Sequence, residues 1–167
     1  TGYEMYDNKS GKIYLSSGGT SGKPKTIVLS DFSILSLIDV APEVLGENIK
    51  KEVQSKFMLA CLPMFHGFGL VMGILTLMLH GGADSILPKF RSQKVVDLIE
   101  KNKCNIIIGV PAMFEALLKN KNFYGEKLKN IDICFIGGDF IPPSLLQRFN
   151  KRLEENGSKA KVFEAVS

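Results

Sequence analysis

Apolar residues along this chain fall into short unbroken runs that alternate with stretches where they recur every three or four positions. The runs at 57–62, 105–110 and 131–136 are rich in Ile, Leu, Phe and Cys. That length and composition predict strands buried on both faces. Shorter runs at 13–16, 26–29, 85–87 and 161–165 predict four more strands. Between them the spacing predicts helices over 92–102, 112–120 and 142–156. A further helix runs to about Asp39, with Ser30 or Asp31 able to cap its first turn. A glycine-rich helix spans 68–79, with His80 at its negative C-terminal end and Gly81-Gly82 stopping it. No internal repeat or low-complexity tract interrupts the series.

Continuous apolar strands with helices between them predict an α/β fold, a mainly parallel sheet with helices on both faces. In such open sheets the binding crevice lies beyond the carboxyl ends of the strands. Residues 63–66, 109–111 and 137–139 all stand at such ends.

Composition narrows the classes. At 167 residues and 45% hydrophobic, the chain can bury a core of its own, so 1–167 reads as a single α/β domain. The net charge of +4 is interspersed, and the tightest basic cluster, 119–129, contains Glu126, which argues against a nucleic-acid platform. The uncharged stretch 57–82 is broken by Pro63 and several glycines and carries His66 and His80, so no transmembrane segment is expected. Residues 1–20 lack the plan of a secretory signal. Cys61, Cys104 and Cys134 have neither zinc-knuckle nor dithiol spacing and read as buried thiols of a reducing, cytoplasmic compartment. No metal ligand set is predicted, and oligomeric state is not legible.

The candidate chemistry centres on Ser17-Gly18-Gly19-Thr20-Ser21-Gly22-Lys23-Pro24-Lys25, set between two strand-like segments. Glycines admit an anion to backbone N–H groups, hydroxyls donate hydrogen bonds, and Lys23 and Lys25 add positive charge. The commonest phosphate loop is excluded, because only three residues separate Gly18 from Gly22 and Lys23 is followed by Pro24 rather than Ser or Thr. The β-branched run after Lys25 makes this a strand-to-strand loop.

The same nine residues resemble the Thr-Ser-Gly-Thr-Thr-Gly-x-Pro-Lys signature of the adenylate-forming (AMP-binding) enzymes, the superfamily of acyl-CoA synthetases, luciferases and peptide-synthetase adenylation domains. Leu62-Pro63-Met64-Phe65-His66-Gly67-Phe68-Gly69 is similar to that family's Leu-Pro-x-Phe-His-x-x-Gly segment, and Gly137-Gly138-Asp139-Phe140-Ile141-Pro142 to its Gly-Gly-Ala-Pro-Leu segment. Members run to several hundred residues, so the resemblance implies a fragment of the N-terminal domain with the C-terminal domain absent.

What the resemblance implies is an acid-thiol ligase of the acyl-CoA synthetase type. ATP would activate a carboxylic acid, fatty in kind, to an acyl-adenylate, and CoA would then accept the acyl group as a thioester. Ser17, Gly18, Gly19, Thr20, Ser21, Gly22 and Lys25 would hold the ATP phosphates, while His66, with Gly67 and Phe68, would line the acid site. Catalytic roles fall to His66 and Lys25. Gly137, Gly138 and Asp139 would face adenine, although Asp139 can instead cap the following helix. Glu164, Ala165 and Val166 match the family's adenine-stacking segment.

Gly18 stands where the family has Ser, Thr26 where it has Gly, and Val166 where it has Tyr. One lost hydroxyl is worth about 1–2 kcal/mol of phosphate binding. Mg2+ ligands would fall mostly outside the chain, and the piece alone is expected to be inactive. Two alternatives stay open: an adenylation module loading a carrier-protein thiol, and a nonenzymatic nucleotide-binding homologue.

Overall fold

A computed structural model describes residues 11–17, 25–45 and 52–165. Its frame is a five-stranded parallel sheet of β3 (Phe57–Ala60), β4 (Ala83–Ile86), β5 (Ile106–Gly109), β6 (Ile133–Gly137) and β7 (Lys161–Ala165), in the spatial order β4-β3-β5-β6-β7. The central strands β5 and β6 are buried along their whole length, as their unbroken apolar composition requires.

Strand alternation sorts the side chains into two layers. Leu59, Ile107, Cys134 and Ile136 face one side and pack with Val95, Ile99, Phe114, Leu117, Phe149 and Leu153. These come from three helices, α3 (Ser92–Glu100), α4 (Pro111–Lys119) and α5 (Pro143–Glu155). Prolines at the first positions of α4 and α5 suit helix starts, where the missing N–H has no intrahelical partner. Phe149 lies edge-on to Phe114 at 5.0 Å and stacks on Phe123 at 5.6 Å.

Met58, Ile106, Ile108, Ile133 and Phe135 face the other side, against Leu77, Met72 and Phe68 of α2. That helix has two parts, a π-helical stretch Phe68–Leu75 and an α turn Thr76–Leu79. Over it lies an outer layer formed by the antiparallel hairpin β1 (Lys12–Ser17) and β2 (Lys25–Ser30) with α1 (Asp31–Leu45). Ile34 and Ile38 meet Val71, joined by Ile13, Leu29 and Leu75. Helices therefore cover both faces of a parallel sheet.

Three boundaries differ from the sequence reading. Strand β4 starts at Ala83, two residues early, because parallel pairing of Phe57 with Ala83 and of Met58 with Asp84 draws both residues into the ladder. Helix α1 continues past Asp39 to Leu45. The helix after Pro63 opens in π rather than α form. At α1 the Ser30 hydroxyl accepts the Ser33 N–H at 3.1 Å, the expected cap. Cys104 and Cys134 are buried and Cys61 half-buried, all three with free thiols; burial pushes Cys61 up to about 11. Among the described residues no helix is long and apolar enough to cross a membrane.

Candidate functional site

Pro63 ends the ladder after β3 and turns the chain over the carboxyl edge of the sheet. The His66 N–H donates to the Pro63 carbonyl at 3.1 Å, and the Leu70 N–H to the His66 carbonyl at 2.9 Å, so the turn is continuous with the first residues of α2. Gly69 is indispensable to this arrangement. A methyl group on its Cα would fall on the Pro63 carbonyl oxygen, with the carbonyl carbon at 2.9 Å. Only a residue without Cβ lets the helix start pass under the turn.

The ring of His66 is exposed and held at one end: the Phe68 N–H donates to Nδ1 at 3.2 Å. A nitrogen that accepts a hydrogen bond carries no proton, so the neutral imidazole bears its hydrogen on Nε2. His66 thus offers a donor outward over the strand ends. Beside it Phe65 is 76% exposed and Met64 50%, an apolar rim next to one oriented polar group.

The hairpin approaches the same rim. Ile13 and Leu29 pack with Val71 and Leu75 in the body of α2, while Leu15 Cδ1 lies 3.8 Å from where a Gly67 Cβ would stand. Strand β1 therefore runs from the body of α2 toward its beginning. Ser17, paired with Lys25, closes the ladder beyond Leu15 on the side of His66. Gly18, Gly19, Thr20, Ser21 and Gly22 lie between these two residues and outside the described residues. The strand-to-strand reading of the loop holds, since β1 and β2 are hydrogen-bonded partners.

Two strands away, β6 ends at buried Gly137, and the chain turns at Gly138 with φ +77°, a conformation that L side chains rarely adopt. Gly138 faces Val110, whose Cγ1 is 3.5 Å from a would-be Cβ. Pairing of Gly109 with Ile136, Ile136 with Glu164 and Gly137 with Ala165 brings the ends of β5, β6 and β7 level. Glu164 is exposed there; Val166 lies outside the described residues.

The capping role for Asp139 is corrected. Pro142 occupies the N-cap of α5 without any side-chain hydrogen bond, and the Asp139 carboxylate instead accepts the N–H of its neighbour Phe140 at 2.7 Å. A cap reaches the second or third N–H beyond itself, and α5 begins at Pro143, too far along the chain for Asp139 to do so. Both Asp139 and Phe140 are exposed at the rim. Among the described residues no group of three His, Cys, Asp or Glu could hold a metal ion.

The sequence matches the family of AMP-binding enzymes over residues 13–164. The chain belongs to that family. It is 31% identical over 140 residues to 4-coumarate–CoA ligase 2 of Oryza sativa subsp. japonica, covering 83% of this chain and 24% of that protein. It is 29% identical over 135 residues to a long-chain-fatty-acid–CoA ligase of Bacillus subtilis, covering 80% and 23%. The AMP-binding chain thus spans about a quarter of the length of the curated relatives it matches. Its fold is that of ATP-bound MatB from Rhodopseudomonas palustris, with TM-score 0.74 and 20% identity over 92% of this chain and 28% of that one. It is equally close to an O-succinylbenzoate coenzyme A synthetase from Bacillus subtilis in complex with ATP and magnesium, at TM-score 0.74, 22% identity, and 92% and 29% coverage.

In this AMP-binding chain the structure brings together on one edge the His66–Phe68 turn, the Gly137–Asp139 turn, Glu164 and the Ser17/Lys25 end of the hairpin. The sequence reading missed Leu15 and Val110, residues that seat these parts. Nothing local marks them, since an apolar residue in a strand or after one has no distinguishing signal until its neighbour across the fold is known.

Proposed function

We propose that this chain is the nucleotide- and acid-binding portion of a larger AMP-forming acid–CoA ligase. The observation that carries the reading is the convergence on one carboxyl edge of the sheet of the His66 turn, the Gly137–Asp139 turn, Glu164 and the Ser17/Lys25 end of the hairpin, within a family match over residues 13–164. In this reading the main chain and hydroxyls of Ser17 to Gly22, with Lys25, hold the β- and γ-phosphates of ATP. The acid's carboxylate attacks the α-phosphorus, the bond to the bridging oxygen breaks, and pyrophosphate leaves with the electron pair. Fixed donors lower that barrier because negative charge gathers as the two anions meet. The Nε2–H of His66 donates to a carboxylate or phosphate oxygen at the meeting point, a role that the acceptor state of its Nδ1 supports.

No base is needed, since a carboxylic acid is already ionised near neutral pH. Mg2+ would supply further charge neutralisation, through ligands outside the described residues. The thiol of CoA then attacks the acyl carbon and AMP departs. CoA is favoured over a carrier protein because the relatives are named as CoA ligases. Gly137, Gly138 and Asp139, with Glu164, Ala165 and Val166, flank the adenine. Phe65 and Phe140 provide apolar surface at the rim, which suits an acid with an apolar body, such as a fatty acid.

ATP–pyrophosphate exchange by the full-length protein with a panel of fatty, aromatic and dicarboxylic acids tests the proposal. Exchange is expected with apolar monocarboxylic acids, falling at least tenfold in His66→Ala, the worth of one hydrogen bond to a charged group. The 167-residue piece alone is expected to show none. ATP binding without exchange for any acid would instead favour the nonenzymatic homologue, a reading supported by Gly18 and Val166.

A further inference from the structure

Helix α2 begins at the site in π form, and π stretches are rare because their hydrogen bonds reach one residue further than α geometry and pack less well. Something must hold this one. Its end is marked by Thr76, which is 1% exposed and sends two donors to a single acceptor five residues back. The Thr76 N–H and the Thr76 hydroxyl, the latter at 2.8 Å, both donate to the Val71 carbonyl. Met72 Sδ lies 3.9 Å from the same hydroxyl. An α-helical register would instead pair the Thr76 N–H with Met72, the residue four back. The hydroxyl thus adds a second bond to the five-back acceptor, one that relaxation of this turn to α would have to break.

The consequence reaches the rim. The far end of α2 is fixed by buried Leu77, packed against the sheet, and by His80, whose Nε2–H donates to the Ile38 carbonyl at 3.0 Å. With that end held, relaxing one π turn to α changes the register by one residue, or about 100° of rotation at the free end. That end carries Phe68, whose N–H holds the His66 ring, and Gly69, which passes under Pro63. We propose that Thr76 is a positioning residue of the site: its hydroxyl holds the π register of α2 and thereby the placement of His66 and Phe68, some ten residues away. The role of the rim as an acid site rests on the reading above; the hold on the helix does not.

The test compares Thr76→Val, which keeps the shape and removes the hydroxyl, with Thr76→Ser, which keeps the hydroxyl, in the full-length protein. Amide hydrogen exchange of a peptide covering residues 68–79 is read without any substrate. Exchange there is expected to quicken about fivefold in Thr76→Val, corresponding to one lost hydrogen bond, and to stay near wild type in Thr76→Ser. Where an acid is turned over, KM for the acid is expected to rise about fivefold in Thr76→Val and to stay near wild type in Thr76→Ser. Equal exchange in wild type and Thr76→Val, or Thr76→Ser behaving like Thr76→Val, overturns the proposal. Altered exchange without turnover of any acid leaves the hold on the helix standing and counts against the ligase reading alone. Should Thr76→Val fail to fold, Thr76→Ser decides: quickened exchange in that variant overturns the role of the hydroxyl.

Discussion

A single methyl group separates the two glycines in the body of the site helix. On Gly69 an added Cβ collides with the Pro63 carbonyl, whereas on Gly73 the nearest atom, the Phe68 carbonyl oxygen, stands at an ordinary 3.6 Å. Gly69→Ala is therefore expected to destabilise the protein by about 2–4 kcal/mol, because backbone rather than a side chain must move. Gly73→Ala is expected to change stability by less than about 1 kcal/mol, the helix preference of Ala offsetting the new contacts. Denaturant midpoints of the two variants check this, and equal midpoints would contradict the close approach. The motif resemblance singles out Gly69 over Gly73, but the sequence does not show that the Pro63 carbonyl is what its missing side chain makes room for. At His66 the position was legible, but the tautomer was not, since it depends on the direction of one backbone N–H two residues away.

Among the elements, the strands were the most legible and the joints between them the least. Asn105, buried just before β5, shows why. Its side-chain carbonyl accepts the Phe57 N–H at 3.0 Å, and its amide donates to the Asn102 side chain at 2.6 Å and to the Asn130 carbonyl at 2.9 Å. Its main chain pairs with Phe57 on one side and Asp132 on the other. One side chain thus sets the starting level of β3 and steadies the approaches to β5 and β6. Asn105→Ala would remove the side-chain partner of three part-buried or exposed polar groups, at a cost of about 1–3 kcal/mol. Urea unfolding is expected to show a lower midpoint with an unchanged slope; a midpoint within error of wild type would refute the joint. The sequence reading places Asn105 at the head of the strand run 105–110, and only the arrival of three segments at one point shows it to be a hub. For the same reason β4 was displaced by two residues: Ala83 and Asp84 have weak strand preference, and the ladder with β3 overrode it.

At the scale of the whole molecule, Asp84 is the most costly residue of the sheet. Both carboxylate oxygens are buried without a hydrogen-bond partner among the described residues, and desolvation raises the group to about 6. A carboxyl whose folded value lies above its unfolded one binds its proton more tightly when folded. Stability is then fullest below about pH 4, declines as pH rises to about 6, and is level above that, where the charge stays buried. Asp84→Asn is expected to raise stability at pH 7.5 by about 1–2 kcal/mol, solvent around a half-buried carboxyl screening part of the desolvation cost, and to make little difference at pH 4. Thermal unfolding of both forms across pH 4–8 checks this, and a gain independent of pH would refute it. The sequence by itself determined the succession of strands and helices along the chain and the parallel sheet, and it marked the segments proposed to carry the chemistry. Those properties follow from local periodicity and from residue types that neighbours along the chain fix. Tertiary structure alone decided the antiparallel seating of the hairpin over α2 and the π register held by Thr76. Each of these depends on contacts between residues distant in sequence, and local preference carries no record of which distant partner will arrive.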